Sequence, residues 1–327
     1  MHRLTQISLI IVLFAVSCRN SNEKDINLIH LDNIAECINN DLLSVKKELV
    51  LLTNDFQYKI PYNNPFNKKL SAKYSEKHGV LYTDYVKNRS AVYLPSYKSI
   101  TSYQKQIIEN TEVMDSFFIR AITNNLFLSQ VYFLDTSSFL RIYPYTDVIN
   151  YLKNPLDLRS LAAYKLVEDK PFIENQVYWI NEPIADPFGR GWVITCVNPV
   201  YYRDKFMGIV SGDMQLRNLE NKYFSSNNII MLLTTADGKV ICCTSESSKI
   251  TSIPPYKEFQ YYKPISEDIY ISHKISLLEH KNKALRKTFR ALVGGKTKED
   301  FYFNNKKYTI YKSHIKETGW YLFKIIN

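Results

Sequence analysis

Only 9 of the 327 residues are glycine, 6 are histidine and 5 are cysteine. Each scarcity removes a class of function. No glycine-rich phosphate loop is present, and neither G-x-S-x-G nor H-E-x-x-H occurs, so nucleotide, serine-hydrolase and zinc-protease chemistries lack their signatures. The histidines are scattered, with no pair at metal-ligand spacing and no obvious Asp or Ser partner. Five cysteines without a C-x-x-C cannot staple a chain of this length. Cys37, Cys196 and the neighbours Cys242 and Cys243 are expected to be buried free thiols, the last two on opposite faces of a strand. The apolar run at the start of the chain falls short of the roughly 20 residues that span a bilayer. No catalytic residue, cofactor or metal is expected, and the chain does not read as an enzyme.

What is present points to a folded, exported protein. Hydrophobic residues make up 45% and charged residues 23%, enough apolar surface for a core. Aromatics reach 14%, with 25 tyrosines, which suits β-rich packing with polar rims. The formal charge of +10 fits either nucleic acid or an anionic membrane surface. The first residues decide between them. Met1-His2-Arg3 precedes an apolar run from Ile7 to Val16, then Ala15-Val16-Ser17-Cys18 and a polar run from Arg19 to Lys24. That is the layout of an export signal. Cys18 after small residues resembles a bacterial lipobox, with Ala15 where leucine is usual. The resemblance implies lipidation of Cys18. The alternative is ordinary cleavage after Ser17. Both export the protein and disfavour nucleic acid.

After a polar tether, Leu28, Leu31, Ile34, Ile38, Leu42, Val45, Leu49 and Leu52 recur at steps of three and four, the stripe of one long helix. Residues 56 to 100 read as loops with one or two short strands. A helix is expected from Ser102 to Asn125. Then a plan occurs twice. Gln130–Asp135 and Phe139–Pro144 form one hairpin; Ile229–Thr234, a turn at Asp237-Gly238 and Val240–Cys243 form another. Each hairpin leads into a segment containing helix, and each half ends in more strands: Trp192–Val197 and Phe206–Val210 in the first, Phe301–Phe303, Tyr308–Ser313 and Trp320–Ile326 in the second. The second half's helix is expected over Ser276–Val293, stopped by Gly294-Gly295. Its basic face (Lys281, Lys283, Arg286, Lys287) is expected to be solvated, with contact to anionic lipid as the alternative.

The segment from Tyr178 to Leu216 adds a resemblance. Trp179…Pro183…Asp186-Pro187…Gly191-Trp192-Val193…Pro199-Val200-Tyr201…Phe206…Gly208-Ile209-Val210…Gly212-Asp213 resembles the ligand-binding half of a double Cache (dCache) domain. That is the extracytoplasmic sensor module of bacterial chemoreceptors and sensor kinases. The resemblance and the repeated plan together predict an α+β fold: two tandem PAS-like (Cache) units with mixed antiparallel sheets and a long N-terminal helix. The expected parts are a signal peptide with lipobox (1–18), a tether and long helix (19–60), a membrane-distal, ligand-binding unit (61–216) and a membrane-proximal unit (217–327).

In amino-acid-binding members, an Asp in a D-P-x-G-like turn and an Asp ending the last strand hold the ligand's amine; Asp186 and Asp213 match these positions. The tyrosine usual two places before the first Asp is Ile184 here, and the element that holds the carboxylate is missing; Arg159 lies in roughly its region. Tyr143, Tyr145, Tyr178 and Trp179 complete the candidate ligand-binding residues, because aromatics beside carboxylates suit cations. For each the plainer reading also stands: Asp186 as a turn residue, Asp213 as a strand end, the aromatics as packing. The expected function is a sensor lipoprotein of the cell envelope, periplasmic or surface-exposed. It would capture a small molecule, such as an amine or amino acid, and act in signal transduction or chemotaxis through a membrane signalling or transport protein. No transmembrane, kinase or methyl-accepting segment follows the last strand. The alternative is a Cache-fold lipoprotein with no small ligand that docks a protein partner.

Overall fold

The computed structural model describes residues 25–60, 73–96, 99–152, 155–171, 173, 176–226, 228–253 and 276–327. The export signal and Cys18 lie outside the described residues.

Helix α1 (Ile26–Lys59) carries the predicted stripe and extends it. Leu31, Ala35, Ile38, Leu42, Val45, Leu49, Leu52 and Phe56 are buried, while Leu28 and Ile34 are only half-buried. Asp25 caps the helix, accepting from the Asn27 N–H. At 1.5 Å per residue the helix is about 50 Å long, enough to serve two cores. Leu31, Ala35, Ile38 and Leu42 pack with Met231, Leu233 and Trp320; Val45, Leu49, Leu52 and Phe56 pack with Phe133 and Val210. Each such side chain contributes about 1.5–3 kcal/mol by burial, so the helix is held by both sheets rather than by its own propensity.

The first sheet is antiparallel throughout. Its strands are β1 (Tyr74–Lys77), β2 (Val80–Thr83), β3 (Ala91–Pro95), β4 (Leu128–Asp135), β5 (Leu140–Tyr143), β6 (Tyr178–Trp179), β7 (Ile184–Ala185), β8 (Trp192–Tyr202) and β9 (Lys205–Gln215). They run in the order β1-β2-β3-β5-β4-β9-β8-β6, with β7 also on β8. One face lies under α1, α2 (Ser102–Asn110) and α3 (Met114–Asn124). The other lies under α4 (Val148–Tyr151), α5 (Ala162–Val167) and the loop residues Ile180 and Phe188. The β8–β9 hairpin turns on Arg203 and Asp204, both left-handed (φ 49° and 61°), as a two-residue turn between twisted strands requires. Gly208 has φ +141°, and a Cβ there would lie 2.2 Å from the Leu134 carbonyl oxygen; only glycine lets β9 approach β4 so closely.

The second sheet comprises β10 (Ile230–Thr234), β11 (Val240–Cys243), β12 (Lys298–Phe303), β13 (Lys306–Ile315) and β14 (Trp320–Ile326), ordered β11-β10-β14-β13-β12. Between the sheets the chain passes through α6 (Leu216–Leu219) and a widened turn, Glu220–Phe224. Helix α7 (Ser245–Thr251) follows β11, and α8 (Lys283–Val293) lays Leu285, Phe289 and Leu292 against Phe301 and Phe323. Counted from each opening hairpin, with the two-residue β6 and β7 taken as one strand, both units run 2-1-5-4-3. The architecture is the predicted α+β fold of two tandem PAS-like units beside one long helix.

Three local expectations need correction. The helix over Ser102–Asn125 breaks at Thr111–Val113, where Thr111 Oγ1 bonds the carbonyls of Ile107 and Ile108 and accepts from Arg141 Nε, competing with the helical ladder. The helix expected from Ser276 begins at Lys283, because Asn282 caps it through the N–H groups of Ala284 and Leu285. The stop expected at Gly294-Gly295 is made by Gly295, whose φ is +125°, with the Lys296 N–H closing on the Ala291 carbonyl at 3.2 Å. Cys196, Cys242 and Cys243 are buried, but Cys37 is exposed, because it lies off the stripe of α1.

Candidate ligand-binding site

The register of three strands builds the site. Gln130 of β4 and Thr195 of β8 both stand opposite Asp213 of β9. Strand parity places all three on the face that carries Tyr132, Val197 and Ile209, away from α1. Asp186 arrives from the loop between β7 and β8. Its turn is closed by the Gly189 N–H on the Asp186 carbonyl at 3.1 Å, and Gly189 and Gly191 are left-handed. The Asp186 carboxylate accepts the N–H groups of Phe188 (3.2 Å) and Arg190 (3.1 Å), as an Asp does when it organises its own turn.

The two carboxylates are joined by one amide. Gln130 Nε2 donates to Asp186 Oδ1 at 3.3 Å and to Asp213 Oδ2, and Thr195 Oγ1 donates to Asp213 Oδ1 at 2.6 Å. Asp186 is 0% exposed and Asp213 4%. Burial, then the neighbouring Asp186 charge, pushes Asp213 up to about 7, against the pull of the Thr195 and Gln130 hydrogen bonds. Burial also raises Asp186, opposed chiefly by Arg190, whose Nη1 lies 3.9 Å from it. Tyr132, beneath the pair, is raised by burial and then by Asp213. Among the described residues, Gln130 Oε1, Ser211 Oγ and Arg190 Nη1 are buried without a hydrogen-bond partner. Such orphans are costly, and these three of the seven among the described residues lie beside the carboxylates, on adjacent strands and the covering turn. Chemically the arrangement is a negative pole with spare acceptors and one spare cationic donor.

The other candidate residues divide. Tyr145 and Tyr178 pack on the carboxylate face; Tyr145 donates to the Thr83 carbonyl at 3.2 Å and meets Tyr85 edge-on. Tyr143 does not join them. It pairs with Val131 and packs on the α1 side, one residue out of phase with Ile142. Trp179 pairs with Cys196 on that same side and donates from Nε1 to Glu317 of the second unit at 3.0 Å. Arg159 is bound to Asp157 and to the Thr136 carbonyl, beyond the far end of β4 from Gln130, about 20 Å at strand spacing. Gln130, Thr195, Ser211, Tyr132 and Arg190 were not singled out from the sequence.

Comparison with known proteins places this geometry. No family model and no curated protein sequence matches the chain. Solved structures do. The ligand-binding domain of a Campylobacter jejuni chemoreceptor, in complex with L-valine, has a TM-score of 0.54 at 12% identity over 92% of this chain and 91% of that one. The same kind of domain from Campylobacter jejuni with 4-methylisoleucine gives 0.52 at 10%, over 92% and 89%. The ligand-binding domain of the Pseudomonas aeruginosa PAO1 amino-acid chemoreceptor PctB, with L-Gln, gives 0.51 at 13%, over 93% and 90%. The chain has a double Cache fold. In this Cache fold the carboxylate pair lies in the first unit, between its sheet and the covering segments. The loop between β6 and β7, just before the one that carries Asp186, reaches the second Cache unit. Asn181 accepts from Trp320 Nε1 at 3.2 Å, and Glu182 pairs with Lys239 at 3.2 Å. Among the described residues no three His, Cys, Asp or Glu side chains gather as a metal site, and no helix is long and apolar enough to cross a membrane.

Proposed function

We propose that the protein is an extracytoplasmic small-molecule sensor whose first Cache unit binds an amine-bearing or cationic ligand. The observation that carries this is the buried Asp186–Asp213 pair, bridged by Gln130, with Gln130 Oε1, Ser211 Oγ and Arg190 Nη1 buried beside it without a hydrogen bond. Two buried carboxylates favour a cation between them, because each charge is costly without one. Arg190 Nη1 offers a second pole for an acidic group, so a zwitterion such as an amino acid fits as well as a simple amine. The amino-acid ligands of the structural relatives support this class. Tyr145 and Tyr178 line the apolar side. The protein is held at the membrane by lipid on Cys18 and acts through a membrane signalling or transport protein.

A thermal-shift screen of amino acids, polyamines and quaternary amines, with carboxylic acids and purines as controls, tests the reading. A ligand at about 100 times its Kd adds about 2.7 kcal/mol, a rise of several degrees at about 2–4 °C per kcal/mol. Shifts from amines support the assignment. Shifts from anions alone overturn it. No shift, with nothing released from the denatured purified protein by mass spectrometry, favours the protein-docking alternative.

A further inference from the structure

Helix α8 is the one helix of eight residues or more, among those described, that carries cations and no acid: its sequence is KALRKTFRALV. At about 100° per residue, Lys283, Arg286, Lys287 and Arg290 fall within a sector of about 100°. Leu285, Thr288, Phe289 and Leu292 occupy the opposite side and are buried. Lys281, exposed just before the helix, extends the row.

Several lysines of other helices are balanced locally. Lys59 pairs with Asp55, Lys165 with Glu168 and Lys249 with Glu246. The ion pairs beside α8 belong to Lys296 and Lys298, and among the described residues none involves a cation of the helix itself. Arg286 and Arg290 spend one donor each on the carbonyls of His280 and Leu278, which leaves their charge uncompensated. Like charges three and four residues apart destabilise a helix, and Lys283 stands in the first turn, where the helix dipole disfavours a cation. The helix therefore carries a charge pattern that costs stability in water and is relieved by an extended anionic surface.

We propose that this face of α8 docks on an anionic lipid surface. The second unit is tied to the start of the chain. Lys298, which opens β12 beside α8, pairs with Asp25 at 3.0 Å, and Tyr311 donates to the same carboxylate at 2.8 Å. From Asp25 back to Cys18 the chain spans at most about 25 Å. A lipid on Cys18 would hold this unit close to the membrane, and one acyl chain plus a basic patch binds more firmly than either alone. The docking itself does not need that anchor.

The test uses the chain from Arg19 onward, which keeps every described residue and excludes any lipid. Flotation with phosphatidylcholine vesicles, with and without phosphatidylglycerol, is compared for the native sequence, Lys283→Glu/Lys287→Glu, and Lys77→Glu/Lys205→Glu as an equal charge change at exposed sites of the first unit. The native chain should float with the anionic vesicles only and release as salt rises from about 0.05 to about 0.5 M. The α8 variant should lose at least about tenfold in partition, the control less than about twofold. Lys283→Gln/Lys287→Gln replaces the first variant if its melting temperature falls. Equal flotation of the α8 variant and the control overturns the proposal. So does absence of binding to anionic vesicles, including the case where the chain is retained on an anionic polysaccharide or nucleic acid instead.

Discussion

Gln130 Nε2 donates to Asp186 Oδ1 and to Asp213 Oδ2, so one neutral amide stands between two buried carboxylates. An amide can satisfy an oxygen of each but neutralises neither. Arg190 Nη1, 3.9 Å from Asp186, offsets that carboxylate in part, and the proposed role of the pair as the pole for a cation rests on the burial of both.

The first prediction follows from the raised carboxyl of Asp213, near 7 against an ordinary 3.8. The folded state holds this proton more tightly than the unfolded chain does. Its stabilising contribution is therefore fully present below about pH 4 and is lost as pH rises to about 7, at up to about 1.4 kcal/mol per pH unit. Asp135, raised by burial to about 6, acts in the same direction over a narrower window. Asp213→Asn should flatten the profile of urea stability between these limits. Parallel profiles for variant and native protein would contradict the assignment.

A second concerns backbone approach. Gly208→Ala drives a Cβ into the Leu134 carbonyl and the Asp135 Cα, at 2.2 and 2.7 Å. Neither is a flexible side chain that can yield. The substitution should cost more than about 2 kcal/mol, read by chemical denaturation.

A third concerns the joint between units. Glu317 accepts from Trp179 Nε1 at 3.0 Å and pairs with Lys46 at 2.9 Å. Glu317→Ala strands both partners and should cost about 1–3 kcal/mol. In a double-mutant cycle with Trp179→Phe, a coupling of about 0.5 kcal/mol or more is expected. Strict additivity would mean the contact carries no energy.

Much of the fold was legible because it rests on local periodicity: the stripe of α1, the paired hairpins, the Gly and Asn turns. The site was legible only in part. Asp186 and Asp213 stood out through a turn motif and a strand end. Gln130 and Thr195 did not, because their place beside Asp213 is set by the register of β4 and β8, which depends on pairing across the chain. The same parity sent Tyr143 and Trp179 to the wrong face: a shift of one residue reverses a strand's side chains. Arg190 follows directly after the D-P-F-G turn, a position whose role depends on how that turn folds over the sheet.

A fourth prediction tests the anchor. Cys18 follows a short apolar run ending in small residues. Labelled palmitate should enter the native chain expressed in a bacterium and not the Cys18→Ala variant; labelling that survives the change would exclude lipidation there.

The most direct measurement is isothermal titration of the amine that gives the largest thermal shift, into the native protein and into Asp213→Ala. Each charge-assisted hydrogen bond contributes about 1.5–3 kcal/mol, so the variant should bind about ten- to a hundredfold more weakly. Affinity for the native protein should rise with pH as Asp213 gives up its proton through about 7. An affinity unchanged by Asp213→Ala would contradict the account, because the ligand would then be bound without the buried carboxylates.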